Sequence, residues 1–478
     1  GQRIPRARFP ADGWLRIAAA LPDRRSGFTV TDELPAVGAG AELLFLHDWS
    51  VTRVAVASIK DGTLRTAGPI GFPAPHFAID HFERHPRYCL ENDPAFLKVP
   101  GTWCHDVENN RLLYLPRPGE TPESLRPTVP VSDGLLVVNG SPETPVTDLT
   151  FHGITFAHSR WAIPARGYAE GQATKHVPRD RNAGPEDPHQ QWTFVPHAVT
   201  VRWGNRVAFE QCVFSNLGGN GLLLGAGCRD SLVRGCLVRD VSGNGIGLGE
   251  GAERRVDGRS WIHAAPEQVA SGNRIENCLV ERCGAQFHGA VGIWAGLTKD
   301  TRITGNTVRH LPYTGISVGW MWNPSPTPAA GNLVSGNHIH HVMQLLSDGG
   351  GIYTLGRQPG MVIRDNLIHD IPLNLGRAES NGMFLDQGSS GFAISNNLIH
   401  RTVKSPLRFH QAGTLEVREN VWSLPPGNPA LRFNNTPPEN IVALDNRELD
   451  RDELAAAVRD WHTRHPRSSS QPAPIPDP

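Results

Sequence analysis

Five segments in the second half of the chain, TGNTVRH (304–310), SGNHIHH (335–341), RDNLIHD (364–370), SNNLIHR (395–401) and RENVWSL (418–424), repeat one pattern around a central asparagine. Upstream, EQCVFSN (210–216), RGCLVRD (234–240) and ENCLVER (276–282) carry the same pattern with cysteine in that place. The repeated residues are Cys212, Cys236, Cys278, Asn306, Asn337, Asn366, Asn397 and Asn420, at intervals of 24, 42, 28, 31, 29, 31 and 23 residues. A shortest step near two dozen, lengthened elsewhere by loop insertions, is one turn of a parallel β-helix. Ankyrin and tetratricopeptide arrays keep a stiffer period with helical spacing. Coils of a β-helix stack about 4.8 Å apart, so like residues fall on one another. Stacked asparagines are then expected to form an amide ladder, each side chain donating to the next, with the three cysteines as small apolar fillers.

A second repeat follows the first seven of these eight: GNGLLLG, GNGIGLG, GAVGIWAG, YTGISVG, GGGIYTLG, SNGMFLDQG and KSPLRFHQAG. Alternation sends Ile293, Ile316, Ile352, Met383 and Leu407 inward. Trp294, Ser317, Tyr353, Phe384 and Arg408 then point outward, as do Gly296, Gly319, Leu355, Asp386 and His410 two positions on. One face is expected to carry an exposed strip of aromatics beside charged groups, edged by loops bearing Trp320, Trp322 and the turn at Asp348–Gly351.

Outside the solenoid the texture changes. AELLFLHDW, VTRVAVASI and NRLLYLPRPGE read as strands without the period, and VTDLTFHGITFAHSRW as the first full coil. The expected organisation is an all-β chain with a β-rich accessory domain over 1–140, the solenoid over 141–447, and a capping helix with a flexible tail over 448–478. A loop rich in His, Pro and Asp (about 166–192) interrupts the stack and is expected at the working face. After Asn420 the coils fade, and ELDRDELAAAVRDWHTRH reads as a short amphipathic helix. The tail RSSSQPAPIPDP is expected to be flexible.

Composition narrows the function. The 478 residues carry 46 Lys plus Arg against 47 Asp plus Glu, with no basic block, a poor match to nucleic-acid or anionic-membrane binding. No run of 18 apolar residues suits a transmembrane helix. Fifty glycines and forty prolines fit many short strands and turns. The seven cysteines form no Cys-x-x-Cys pair and are odd in number, against a zinc site or a full disulfide framework. Cys89 and Cys104 either bridge or stay free thiols. The chain opens with GQRIPRARFP, as a mature or trimmed form would.

Aromatics on a β-helix face suit sugar rings, and paired carboxylates beside them suit glycosidic cleavage, one protonating the leaving oxygen while the other attacks or activates water. Asp386 points outward from its strand, and Asp348 precedes the equivalent strand one coil earlier. Asp348 also fits a plain Asp-Gly turn. Arg408 suits a substrate group or a pairing with Asp386, and His410 a polar contact or proton carrier. Glu250 is a substrate-binding candidate whose simpler reading is a solvated loop; His288 and Glu379 are weaker candidates at the same edge. In the run Asn337–His341, His369 and His400 stack on His340, so a histidine column on the exterior is expected rather than a metal site. No cofactor is called for.

SDGGGIYTLGRQPGMVIRDNLIHDI (347–371) followed by NGMFLDQGSSGFAISNNLIHRT (381–402) resembles the core of right-handed parallel β-helix glycoside hydrolases, and in particular glycoside hydrolase family 141, an α-L-fucosidase and xylanase family. RARFP (6–10) and the run from Tyr88 to Glu120 also resemble that group, in which this region is a β-rich inserted domain. The resemblance spans about residues 5–422. It implies that Asp348 and Asp386 are the catalytic pair. Relatives usually begin with an additional coil before the inserted domain, so the subsites can differ; the resemblance implies an α-L-fucosidase or a xylan-active enzyme without settling the sugar.

The function expected is a glycoside hydrolase acting on plant or microbial oligo- or polysaccharide. Its catalytic residues are Asp348 and Asp386, and its substrate contacts Trp294, Trp320, Trp322, Tyr353, Phe384, Arg408, His410 and Glu250. A secreted or periplasmic monomer or weak oligomer is expected. A polysaccharide lyase or epimerase is the second possibility, though a lyase needs a facing base and usually calcium, and the strip offers Arg408 but no acidic cluster. A non-catalytic carbohydrate-binding solenoid is the third. Sugar, linkage, stereochemistry and the division of roles between the aspartates are left open.

Overall fold

The computed structural model describes residues 2–178, 192–466, 468 and 471–472. The expected tail at 467–478 and the 179–191 part of the expected loop fall almost wholly outside them. The chain forms two compact units, one of residues 1–130 and 161–195, the other of residues 131–160 and 196–478.

In the second unit, three ten-stranded parallel sheets run in step among the described residues. Each coil gives one short strand to each sheet, the parallel β-helix of the sequence pattern. The inward column Ile293, Ile316, Ile352, Met383 and Leu407 is in register from coil to coil and fully buried. Each such side chain contributes about 1.5–3 kcal/mol of transfer free energy. Aromatics stack within the core as the coils do, with Phe151 on Phe209 at 4.8 Å and Phe409 on Phe433 at 5.5 Å between centroids.

The asparagine ladder forms. Asn306 donates Nδ2 to Asn337 Oδ1 at 3.0 Å, and Asn337, Asn366 and Asn397 each repeat the contact to the next coil at 2.9 Å. Each Oδ1 also accepts the backbone N–H of the preceding ladder residue, at 3.0 Å. Buried corner amides are thereby satisfied without water. Where the pattern carries cysteine, the thiol of Cys236 donates to Phe209 O at 3.4 Å, much as Asn306 Nδ2 donates to Ile275 O at 3.0 Å. The cysteines are therefore weak donors as well as fillers. All seven, Cys89 and Cys104 included, are free and buried.

The solenoid's start, its last coil and the place of the helix differ from expectation. The solenoid starts earlier, because Leu136–Asn139 pairs in parallel with the strand at His197–Arg202. The coils do not fade after Asn420: a complete one follows through Leu431–Asn434, Ile441–Leu444 and Arg447–Glu448, so the solenoid ends close to the expected 447, with Asn420 donating to Asn446 at 2.9 Å. The helix Arg451–Arg464 is present, started by a capping box between Asp450 and Glu453. It lies along a flank of the solenoid: Trp461 packs on Leu367, Leu398 and Leu449 and donates Nε1 to Asp365 O at 2.7 Å. Ala443, in the last coil, stays exposed, so the helix is a side brace and not an end cap.

In the first unit an eleven-stranded sheet includes Tyr168–Gln172, antiparallel to Val51–Lys60. The stretch expected as a solenoid loop thus supplies strands to this sheet. Its core holds Phe28, Phe45, Leu64, Ile70 and Tyr88. Buried Arg53 is paired with Glu42 at 2.7 Å and with Glu91. No helix among the described residues is long and apolar enough to cross a membrane.

Candidate functional site

The outward column of the first sheet is Trp294, Ser317, Tyr353, Phe384 and Arg408, each in ladder register with the next, as alternation requires. Its exposure is not as expected. Trp294 and Phe384 are at most 1% exposed, Trp320 2% and Tyr353 3%. The rings cover one another: Trp294 meets Trp320 edge-on at 5.2 Å, Trp320 meets Trp322 at 4.7 Å, and Tyr353 meets Phe384 at 5.4 Å. Only Trp322 in this set is half-exposed. The strip is packed support and not an open stacking platform, because insertion loops return across the sheet. Met321 sits over Gly356 and Asn323 over Gly388, where a Cβ would come within 3.0 Å of the loop backbone or side chain.

Asp386 follows the strand Ser380–Leu385 and is 9% exposed. Tyr353 donates its hydroxyl to Asp386 Oδ2 at 2.6 Å from one coil back. His410 Nδ1 lies 2.7 Å from Asp386 Oδ1 from one coil on, and Gln411 Nε2 is 3.3 Å from His410 Nε2. Asp386 thus stands mid-way in a chain of polar groups running across three coils.

Asp348 is not in a turn that continues through the glycines. Gly349–Thr354 is a strand from its first residue, and Asp348 precedes it with φ +60°. Its N–H bonds Glu379 O at 3.1 Å, and Tyr313 donates its hydroxyl to Asp348 O at 2.9 Å. In ladder register Asp348 therefore falls beside Glu379, and Leu355 beside Asp386, so coil adjacency alone does not bring the two carboxylates together. Arg408 links Asp348 to the Phe384 side of the next coil instead. Its guanidinium lies 4.1 Å over the Phe384 ring and reaches back across that coil to Asp348, Nη1 to Oδ1 2.9 Å, while Nε donates to Asn434 at 3.1 Å. Arg408 pairs with Asp348 and not with Asp386. Arg432 repeats the device one coil on, with Nε 3.2 Å from Glu379 Oε1.

Arg408 and His410 stand two residues apart on the strand Leu407–His410, hence on one face and about 6.6 Å apart. One holds Asp348 and the other Asp386. The aspartates, Tyr353, Phe384, Arg408 and His410 are thus brought into one cluster.

Glu250 is not part of it. It accepts from Arg254 Nε at 2.9 and 3.0 Å, and Arg254 lies between the rings of Trp203 and Trp261 at 5.3 and 5.2 Å and bonds Gln268 at 2.8 Å. This is a locked structural pair. His288 Nδ1 is 2.8 Å from Gly284 O, on its own loop. Tyr313, Arg432 and Asn434 belong to the surroundings of the site and were missed. For the last two a signal was present, since LRFNN (431–435) repeats LRFHQ (407–411).

The histidine column stands where expected. His340 stacks on His369 at 5.0 Å and His369 on His400 at 4.8 Å. It is sheltered, however, with Trp461 and His462 of the helix 5.8 and 5.4 Å from His338. Burial first, and neighbouring histidines second, hold His338 down to about 3 and His340 to about 2. Burial does the same for His400, at about 3.

The family described as right handed beta helix region matches residues 268–428. A solved structure named only as a glycoside hydrolase is similar over 96% of this chain and 78% of its own, with 25% identity and a TM-score of 0.73. The pectate lyase Pel9A is similar at 13% identity and a TM-score of 0.38, over 67% of this chain and 68% of its own. A GH136 lacto-N-biosidase from Eubacterium ramulus is similar at 13% and 0.40, over 67% and 60%. No curated protein sequence matches the chain. With its three in-step parallel sheets and this likeness across nearly its whole length, the chain has the right-handed β-helix fold of a glycoside hydrolase.

Proposed function

We propose that this protein hydrolyses glycosidic bonds in a plant or microbial oligo- or polysaccharide, with Asp348 and Asp386 as the working carboxylates. The observation that carries the reading is the anchoring of both carboxylates from one strand, Asp348 by Arg408 and Asp386 by His410. Hydrolysis needs two carboxyl groups on one face, one to protonate the leaving oxygen and one to attack the sugar or activate water. The resemblance of the two aspartate-bearing segments to glycoside hydrolase family 141 supports an α-L-fucoside or a xylan as substrate. A polymeric substrate favours a secreted or periplasmic enzyme, working as a monomer or weak oligomer.

The test is hydrolysis of aryl fucoside, xyloside, arabinoside and galactoside and of plant cell-wall polysaccharides by wild type, Asp348→Asn and Asp386→Asn. Release of reducing sugar by wild type, lowered on the order of 10³-fold in both folded variants on natural glycans, supports the reading. Products with unsaturated ends move the protein to the lyases. Full activity in both variants removes the aspartates from the chemistry.

A further inference from the structure

The hydrogen-bond partners of the two aspartates differ in kind, and the difference divides their roles. Arg408 is a donor only and keeps its charge at every working pH. Its Nη1 faces Asp348 Oδ1 at 2.9 Å, so a proton on that oxygen would be set against a fixed cation. The guanidinium is itself held in place, by the Phe384 ring and by Asn434, and it is only 12% exposed. Asp348 is built to stay a carboxylate.

Every group that touches Asp386 in the chain across the coils can reverse. The Tyr353 hydroxyl donates or accepts by rotating, His410 Nδ1 donates or accepts according to its tautomer, and the Gln411 amide beyond it serves either tautomer by turning over. Asp386 can therefore take up a proton and give it away while both of its oxygens stay hydrogen-bonded. A general acid needs that freedom, and Asp348 lacks it.

We infer that Asp386 is the proton donor to the leaving group and Asp348 the permanent carboxylate, with Arg408 and His410 as the positioning residues that set this division. The inference rests on the hydrolase reading. The proton passes from Asp386 to the glycosidic oxygen, and the bond from that oxygen to the anomeric carbon breaks with its electron pair going to oxygen. The new bond to the anomeric carbon comes either from a water whose proton Asp348 takes, or from Asp348 itself as a glycosyl ester that water then hydrolyses, giving its proton to Asp386. His410 and Tyr353 re-form their hydrogen bonds to the Asp386 carboxylate as the proton leaves.

The experiment compares two leaving groups on the sugar that wild type hydrolyses in the panel above. A dinitrophenyl glycoside departs without protonation, and a methoxyphenyl glycoside needs it. In kcat/KM, Asp386→Asn is expected to stay within about tenfold of wild type on the dinitrophenyl substrate and to fall on the order of 10³-fold on the methoxyphenyl one. Asp348→Asn is expected to fall on the order of 10³-fold on both. Asp386→Glu, which keeps an ionisable proton, should recover part of the methoxyphenyl activity, and unchanged melting temperatures exclude misfolding. The assignment is overturned with the hydrolase intact if the leaving-group dependence appears in Asp348→Asn instead, or if Asp386→Asn loses both substrates alike. A wild type inactive on the whole panel overturns the hydrolase reading and this assignment with it.

Discussion

Arg408 reaches over the ring of Phe384 to Asp348, Nη1 to Oδ1 2.9 Å, joining residues that lie two coils apart. The same strand, two residues on, presents His410 to Asp386 at 2.7 Å. One strand thus fixes both carboxylates, and the spacing of a single β-strand sets the separation of their anchors. Replacing Arg408 by Met should leave Asp348 part-buried without its cation, at a cost of about 1.5–3 kcal/mol for a charged hydrogen bond. Chemical denaturation reads that loss. Steady-state kinetics should show kcat falling further than KM rises, because the proposed role is to hold Asp348 and not to bind sugar.

Tyr353→Phe removes the hydroxyl that donates to Asp386 at 2.6 Å while keeping the ring that packs on Phe384. The expected change is about tenfold or somewhat more in kcat, as for one charge-assisted hydrogen bond, with the melting temperature nearly unchanged. A large stability loss with normal kcat would make the hydroxyl purely structural.

The burial of the tryptophans separates two effects. Trp294 is fully buried, so Trp294→Ala should destabilise the fold by about 3–5 kcal/mol, with little effect on KM at a temperature where the variant is folded. Trp322, half-exposed at the outer end of the ring series, is where a KM effect is expected. A KM rise confined to Trp294→Ala would reinstate the open platform.

The Asn366 side chain makes four contacts in the ladder: it accepts at Oδ1 from Asn337 N and Nδ2 and donates Nδ2 to Val334 O and Asn397 Oδ1. Asn366→Ala strands buried partners on both neighbouring coils, each costing about 1–3 kcal/mol. A fall in thermal midpoint of several degrees is expected, with the activity of the folded fraction intact. Cysteine at this place should be milder than alanine, since Cys236 and Cys278 already donate from it.

The sheltered histidines make stability sensitive to acid. In the unfolded chain they titrate near 6.5, whereas burial keeps His338 and His400 neutral in the fold down to about 3 and His340 to about 2. Between those limits the unfolded chain binds more protons, so stability is full above about pH 6.5 and declines as pH falls toward 3. Arg309, Asp370, Arg401, His341 and His462 also face the column, and His369 is bonded to Asp370 at 2.7 Å. His338→Leu, matching Leu367 and Leu398 on the next coils, should flatten the dependence. Urea midpoints measured from pH 7 down to 4 for both proteins check this.

By itself the sequence determined the parallel β-helix, the ladder at Asn306 to Asn420, and which residues of each coil face inward. These follow from a period of two along a strand and from the stacking of like residues one coil apart, both local and both repeated many times. It also put Asp386, Arg408 and His410 on one face. Only the tertiary structure decided that Arg408 belongs to Asp348, that Trp294 and Phe384 are covered, and that Glu250 is locked to Arg254. Those outcomes depend on the reach of long side chains across intervening coils and on the paths of inserted loops. Neither is periodic, so neither is written in the repeat.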